Sequence, residues 1–135
     1  MFAIKTEINT PQAETFIFLA QKTMYNGKHI APGDTIYLFA SENAGGAGLI
    51  ARGVVLTAQA TPRNLDIARQ TPRVSITVQR TALAQRSLGR KELKPFTEWH
   101  DGRPETELNF KFYRQATDKI VGISTETADF LARFF

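Results

Sequence analysis

The chain has 135 residues and a net charge of +4, and 42% of its residues are apolar, which fits one domain over residues 1–135 with a single core. It contains no cysteine and two histidines, so disulfides, thiolate metal sites and a cysteine nucleophile are excluded, and neither a zinc site nor a histidine-centred triad is expected. No apolar run approaches the roughly 20 residues of a membrane helix, and the N-terminus lacks the pattern of a secretion signal. We therefore expect a cytoplasmic protein without a membrane partner, a metal or another cofactor.

The first predicted element is a strand, and the second segment is compatible with two structures. Residues 2–7 alternate as a strand does. Residues 13–22 fit either a helix opened by Thr10-Pro11 or a buried strand over residues 15–19. The strand is favoured because Phe18-Leu19 would lie off the apolar face of the helix.

A hairpin with a polar loop follows. The Pro32-Gly33-Asp34 sequence predicts a turn, and the aromatic and β-branched run Thr35–Ala40 predicts a strand. Residues 41–48 are polar and glycine-rich, and residues 49–56 predict the return strand. A loop held by rigid strands in this way often carries recognition, although a plain β-meander would show the same spacing.

Three polar residues leave the first strand of this hairpin together: Ser41, Glu42 and Asn43. A buried carboxylate such as that of Glu42 would accept a hydrogen bond from an exocyclic amine, as acidic side chains do from cytosine.

The middle of the chain is strongly basic. Residues 52–94 contain nine basic and two acidic side chains, a net charge of +7 against −3 for the rest of the chain. Seven of the nine are arginine, which is suited to bidentate phosphate contacts and to stacking on bases. This distribution predicts a polyanionic partner. The alternatives are a solvated surface and a surface that binds an acidic protein.

The remaining elements are predicted from spacing. Helical turns are expected at 63–70, strands at 73–81, 108–113 and 119–123, a helix-compatible segment at 81–93, and a final helix over 125–135 that Ser124 caps. Residues 94–107 form a long connection that contains Trp99, the single tryptophan, which could stack on a base. Arg114, at the end of the 108–113 strand, could contact phosphate.

The order of elements resembles the PUA-like superfamily, and more narrowly its EVE and ASCH branches. The resemblance rests on three features: the Pro32-Gly33-Asp34 turn that leads through a strand into Ser41-Glu42-Asn43, the glycine-flanked return strand 48–55, and the close at 119–124 that leads into the last helix. It implies an α+β, mostly β fold, a pseudobarrel of five to six strands with short flanking helices and a C-terminal helix.

The resemblance further implies binding of a nucleic acid, or of a modified nucleobase or nucleoside, in a polar and aromatic pocket. That pocket is expected between the loops of Tyr25-Asn26, of Ser41, Glu42 and Asn43, and of Trp99. Phosphates are expected on five residues: Arg52, Arg86, Arg90, Lys91 and Arg114. The sequence does not distinguish RNA from DNA and does not define the oligomeric state.

The ASCH branch offers an alternative function, because it includes small amidases that act on modified cytidine with a lysine, a threonine and a glutamate. The corresponding residues here would be Lys22, Thr23 and Glu42, since Met24 to Ala31 contains no acidic residue. This alternative requires the three side chains to meet in the fold.

Overall fold

The computed structural model describes residues 1–115 and 118–135, and these form six strands and three short α-helices. The strands are β1 (Phe2–Thr6), β2 (Thr15–Met24), β3 (Thr35–Ala40), β4 (Gly48–Ala60), β5 (Arg73–Leu83) and β6 (Lys119–Gly122). The helices are α1 (Arg90–Leu93), α2 (Pro104–Phe110) and α3 (Thr125–Ala132). Two 3₁₀ turns cover Gly27–His29 and Glu42–Ala44, and a π-helical turn, Lys111–Gln115, continues α2.

The six strands close into a barrel in the order β1-β3-β4-β5-β2-β6. Strands β3, β4 and β5 form an antiparallel meander, whereas β1 pairs with β3 in parallel and β2 pairs with β6 in parallel. Two strands separate β2 from β3 in either direction around the barrel, so these two strands lie on opposite walls. The predicted pseudobarrel with short helices and a C-terminal helix is confirmed.

The alternation of side chains along the strands builds two cores. On β1, Ile4 points into the barrel, whereas Ala3 and Lys5 point to the outer face beneath the helices. The barrel interior also holds Phe16, Phe18, Ile36, Leu38, Val74, Ile76 and Val78. The core between the outer face and the helices holds Tyr37, Phe39, Leu93, Leu108, Phe112 and Leu131. The helical layer therefore covers one side of the barrel.

Most predicted strands are found in the structure, and the ambiguous second segment is a strand. Phe16 and Phe18 are 5% and 6% exposed inside the barrel, whereas Ile17 and Leu19 are 67% and 70% exposed. This period of two is that of a strand with one buried face. The final helix also follows the prediction, because Ser124 Oγ accepts a hydrogen bond of 3.1 Å from the backbone N–H of Thr127.

Three predicted elements are wrong. Residues 108–113 are helical rather than extended, because Leu108 and Phe112 pack one helical turn apart in the outer core and Pro104 starts the helix. Arg114 therefore lies in a π-helical turn and not at the end of a strand. Residues 63–70 form turns and no helix. In the 81–93 segment, β5 continues to Leu83, and only Arg90–Leu93 is helical. Within the described ranges, no helix has the length and apolar character needed to cross a membrane.

Glu107 joins α2 to the start of α3. Its carboxylate accepts hydrogen bonds from Ser124 Oγ at 2.6 Å and from Thr127 Oγ1 at 2.7 Å, and it forms an ion pair of 2.9 Å with Lys111 Nζ. Burial alone would raise the pKa of Glu107, but the bonds from Ser124, Thr127 and Lys111 outweigh burial and hold that pKa below its usual value.

We expect Glu107→Gln to lower the free energy of unfolding by about 1.5 kcal/mol at neutral pH, because an amide accepts these bonds more weakly than a carboxylate. A carboxyl group whose pKa is lowered in the folded state stabilises that state above its unfolded pKa and loses this effect as the pH falls through the folded pKa. Urea unfolding at pH 7 and pH 3 should therefore show a difference between variant and wild type that shrinks at acid pH. A difference independent of pH would contradict this role.

Candidate functional site

The loop after β3 places Glu42 above the outer core. Ser41 is 4% exposed, and its N–H donates to the Thr6 carbonyl at 2.9 Å, which ties the loop to the end of β1. Gly45 has a φ of 84°, and Gly46 N–H donates to the Ser41 carbonyl at 2.8 Å, so the 3₁₀ turn is closed at both ends. The Glu42 side chain is thus held at the junction of β3 and the helical layer.

Two residues distant in sequence anchor the Glu42 carboxylate. The Tyr113 hydroxyl lies 3.0 Å from Oε1 and 2.9 Å from Oε2, and the Arg90 N–H donates to Oε2 at 2.6 Å. A Cβ atom on Gly89 would lie 2.6 Å from the same Oε2, so a larger residue there would displace the carboxylate. Asn43 belongs to the same group, because its Oδ1 accepts a bond of 2.8 Å from the Arg90 guanidinium.

A buried lysine lies beneath this group. Lys5 is 1% exposed, and its Nζ lies 4.4 Å from the centroid of the Tyr113 ring. Burial lowers the pKa of Lys5, and the nearby Glu42 carboxylate opposes that shift. Burial and the Glu42 carboxylate raise the pKa of Tyr113, so the phenol stays protonated and donates. Sequence reasoning missed Lys5 and Tyr113 as site residues, and the one available signal was a charged residue inside an apolar strand.

A cavity of about 490 Å³ opens beside Glu42, and it is called the Glu42 cavity below. Its lining includes the carboxylates of Glu42 and Glu92 and three cations, Arg90, Lys91 and Lys94. Glu42 Oε1 contacts only the Tyr113 hydroxyl among the described hydrogen bonds, so it can accept a further N–H. The cavity therefore offers a carboxylate oxygen that can accept a hydrogen bond from a ligand and cations that can bind an anionic group of the same ligand.

Tyr25 and Asn26 line a different cavity. Both have a left-handed backbone, with φ of 51° and 66°, and Gly122 N–H donates to the Tyr25 carbonyl at 3.0 Å. They line a cavity of about 410 Å³ together with Lys111, whose Nζ lies 4.6 Å from the centroid of the Tyr25 ring. The tyrosine ring is thus paired with a cation from the helical layer.

Trp99 lines a third cavity, of about 210 Å³, that also includes Lys111. Its ring centroid lies 5.4 Å from that of Phe110, and the Arg114 guanidinium lies 4.9 Å from its centroid. The Trp99 and Tyr25 cavities share Lys111 but share no lining residue with the Glu42 cavity. The described residues therefore do not form the single pocket expected between the three loops.

The five residues predicted to bind phosphate fall in three places. Arg90 and Lys91 line the Glu42 cavity. Arg114 lies over Trp99. Arg52 and Arg86 lie over the C-terminal rings of Phe135 and Phe134, at 5.1 and 4.5 Å from the ring centroids. A phosphate-binding role for these residues stays a prediction.

The structure does not bring together the residues required by the amidase alternative. Lys22 and Thr23 are on β2, on the opposite wall of the barrel from β3 and its Glu42 loop. The Thr23 hydroxyl donates to the Pro72 carbonyl at 2.8 Å, and Thr23 is 6% exposed. In residues 1–115 and 118–135, no cluster of three or more histidine, aspartate or glutamate side chains could hold a metal, and the predicted absence of a metal stays a prediction.

The fold can be compared with solved structures. No protein-family model and no curated protein sequence matches the chain. The DUF55 domain of human thymocyte nuclear protein 1 has a TM-score of 0.62 and 16% identity, over 98% of this chain and 96% of that one. The human THYN1 protein in complex with DNA containing 5-methylcytosine has a TM-score of 0.61 and 16% identity, over 98% and 95%. A Pseudomonas syringae protein has a TM-score of 0.58 and 14% identity, over 99% of both chains.

Each match extends over nearly the whole of both chains. The barrel order and the capped C-terminal helix agree with the resemblance inferred from the Pro32-Gly33-Asp34 turn onward. This chain has the fold of the DUF55 domain of human thymocyte nuclear protein 1.

Proposed function

We propose that this protein binds nucleic acid and holds one base, with cytosine and its modified forms as the candidate class, in the Glu42 cavity. The observation that carries the proposal is the Glu42 carboxylate, fixed by Tyr113 and Arg90 at the wall of a cavity that three cations line. The fold adds support, because a structure with this fold is a complex with DNA containing 5-methylcytosine.

The chemistry of base recognition follows from the free acceptor on Glu42. The exocyclic amine of cytosine is a hydrogen-bond donor, and a carboxylate oxygen such as Oε1 of Glu42 can accept its hydrogen bond. Tyr113 and the Arg90 N–H hold the carboxylate before the ligand arrives, so little side-chain entropy is lost on binding. Lys91 and Lys94 are exposed and can contact the phosphates on either side of the base.

The other predicted contacts remain part of the proposal in a secondary role. Tyr25 and Asn26, in one cavity, and Trp99, in the next, would contact nucleotides beyond the base in the Glu42 cavity, with Lys111 between them. We further propose that residues 1–135 act as one binding module in the cytoplasm. The geometry favours a binding protein, since no described contact joins Lys22 or Thr23 to Glu42.

Glu42→Gln is expected to change base preference about tenfold, because it replaces an acceptor with a mixed donor and acceptor. Fluorescence anisotropy at fixed salt, with oligonucleotides that differ in a single cytosine, 5-methylcytosine or thymine, measures that preference. Glu126→Gln, an exposed residue on α3, removes the same charge outside the cavity and is the matched control. Unchanged preference in a folded Glu42→Gln variant would exclude Glu42 from base recognition.

A further inference from the structure

A separate cavity of about 530 Å³ lies where the loop between β4 and β5 meets the 3₁₀ turn Gly27–His29. Four cations line it, Lys28, Arg63, Arg69 and Arg73, together with His29 and with no acidic residue. All four cations are exposed at its rim, and the cavity shares no lining residue with the Glu42 cavity. We call it the hairpin cavity. A concave surface lined by charges of one sign concentrates the field that attracts an anion.

The loop that forms this cavity is braced by its own side chains. Gln70 Nε2 donates to the Asn64 carbonyl at 2.6 Å, and the Asn64 N–H donates to Gln70 Oε1 at 3.1 Å. Thr61 N–H donates to the Arg73 carbonyl at 2.8 Å and closes the neck of the loop. The cavity therefore has its shape before any ligand binds, which lowers the ordering cost of binding.

The four cations have different roles in that loop. The guanidinium of Arg63 donates to the Ala68 carbonyl at 3.2 Å, and that of Arg73 donates to the Ala20 carbonyl at 3.0 Å. The side chains of Lys28 and Arg69 take part in none of the hydrogen bonds or ion pairs found among the described residues. Arg63 and Arg73 thus support the backbone while keeping their charge at the cavity, and Lys28 and Arg69 remain available to a ligand.

We propose that the hairpin cavity is a second phosphate site, which holds the sugar–phosphate backbone of a nucleic acid whose base occupies the Glu42 cavity. The inference rests on the proposed function for its ligand class. Its own basis is an acid-free set of four cations, three of them arginines, whose planar donors match phosphate oxygens. Of the nine cations in the basic segment 52–94, three line the hairpin cavity and three line the Glu42 cavity, and a nucleic acid must be several nucleotides long to contact both.

The test uses the variant Lys28→Ala/Arg69→Ala, which spares the two arginines that hold the loop. Binding of a single-stranded DNA 12-mer containing 5-methylcytosine should fall about 25-fold at 0.1 M salt, and the slope of log affinity against log salt should decrease by about 1.4, from two lost contacts. Binding of a trinucleotide with the same central base should change less than about twofold. Lys22→Ala/Arg133→Ala, which removes two exposed cations that line none of the four cavities, is the control.

A second probe separates failure of this site from failure of the proposed function. Tripolyphosphate, titrated into the ¹⁵N-labelled protein, should shift the amide signals of residues 27–29 and 61–73. The Lys28→Ala/Arg69→Ala variant should bind tripolyphosphate at least about tenfold more weakly. Unshifted signals there would overturn the site even if DNA binds. The site would also be overturned if the variant and the control lost the same affinity for the 12-mer. The same holds if the variant lost as much affinity for the trinucleotide as for the 12-mer. Tripolyphosphate binding without any DNA binding would instead refute the nucleic-acid function and leave an anion site.

Discussion

Alanine at Arg90, Lys91 and Lys94 together is expected to weaken nucleic-acid binding on the order of 100-fold at 0.1 M salt. Each phosphate contact on a single strand contributes about 0.7 to the slope of log affinity against log salt, so three lost contacts lower that slope by about 2. The three side chains line one cavity, which is why we expect their contributions to fall on the same stretch of backbone. Titrations between 50 and 300 mM salt measure the slope.

The matched control for this triple variant is Lys22→Ala/Lys119→Ala/Arg133→Ala, which removes the same charge from positions that line none of the four cavities. The backbone N–H of Arg90 still reaches Glu42 in the variant, so the carboxylate keeps that bond. The same loss of affinity in both triple variants would show a general charge effect and would remove the Glu42 cavity from the interface. Arg86 is left out of the triple variant because its guanidinium donates a hydrogen bond of 2.7 Å to the Arg133 carbonyl.

The second large effect concerns stability. Glu42→Gln is expected to lower the free energy of unfolding by about 2.5 kcal/mol, because the buried Lys5 charge loses the carboxylate that opposes its desolvation. This is below the 3–5 kcal/mol typical of breaking a fully buried pair, since Glu42 is partly exposed. Burial lowers the pKa of Lys5, so at pH 7 the variant must either keep a buried charge that only the weaker attraction of Asp118 offsets or release its proton. Urea unfolding measures the loss.

A double-mutant cycle isolates the charge effect. Lys5→Met fills the same space without a charge, and we expect it to be neutral or stabilising on its own, as replacement of buried ions by apolar residues often is. In the Lys5→Met/Glu42→Gln variant, most of the loss caused by Glu42→Gln should disappear, because no buried ammonium is left to compensate. Additive losses in the double variant would show that Lys5 and Glu42 do not act as a pair. The double variant also allows base preference to be measured in a stable protein.

The elements predicted correctly from the sequence depend on local interactions. The Thr35–Ala40 strand follows a proline–glycine turn, and the last helix starts at a serine whose side chain caps it three residues on. The 108–113 segment was misassigned because Leu108 and Phe112 satisfy both an alternating pattern and a helical one, and only packing against the barrel distinguishes them. Residues 13–22 likewise fitted both a helix and a strand from their sequence pattern alone.

The sequence by itself determined the strands β1, β3, β4, β5 and β6, the capped final helix, the basic segment 52–94 and the candidate role of Glu42. Only the tertiary structure decided what surrounds Glu42, because its partners are far away along the chain: Tyr113 is 71 residues from it and Arg90 is 48. It also decided that Lys5 is buried, since closure of the barrel and coverage by the helices remove that side chain from water. The single predicted pocket became three cavities for the same reason. Which loops meet depends on strand order around the barrel, and strand order arises from pairings between residues distant in sequence, which local patterns do not encode.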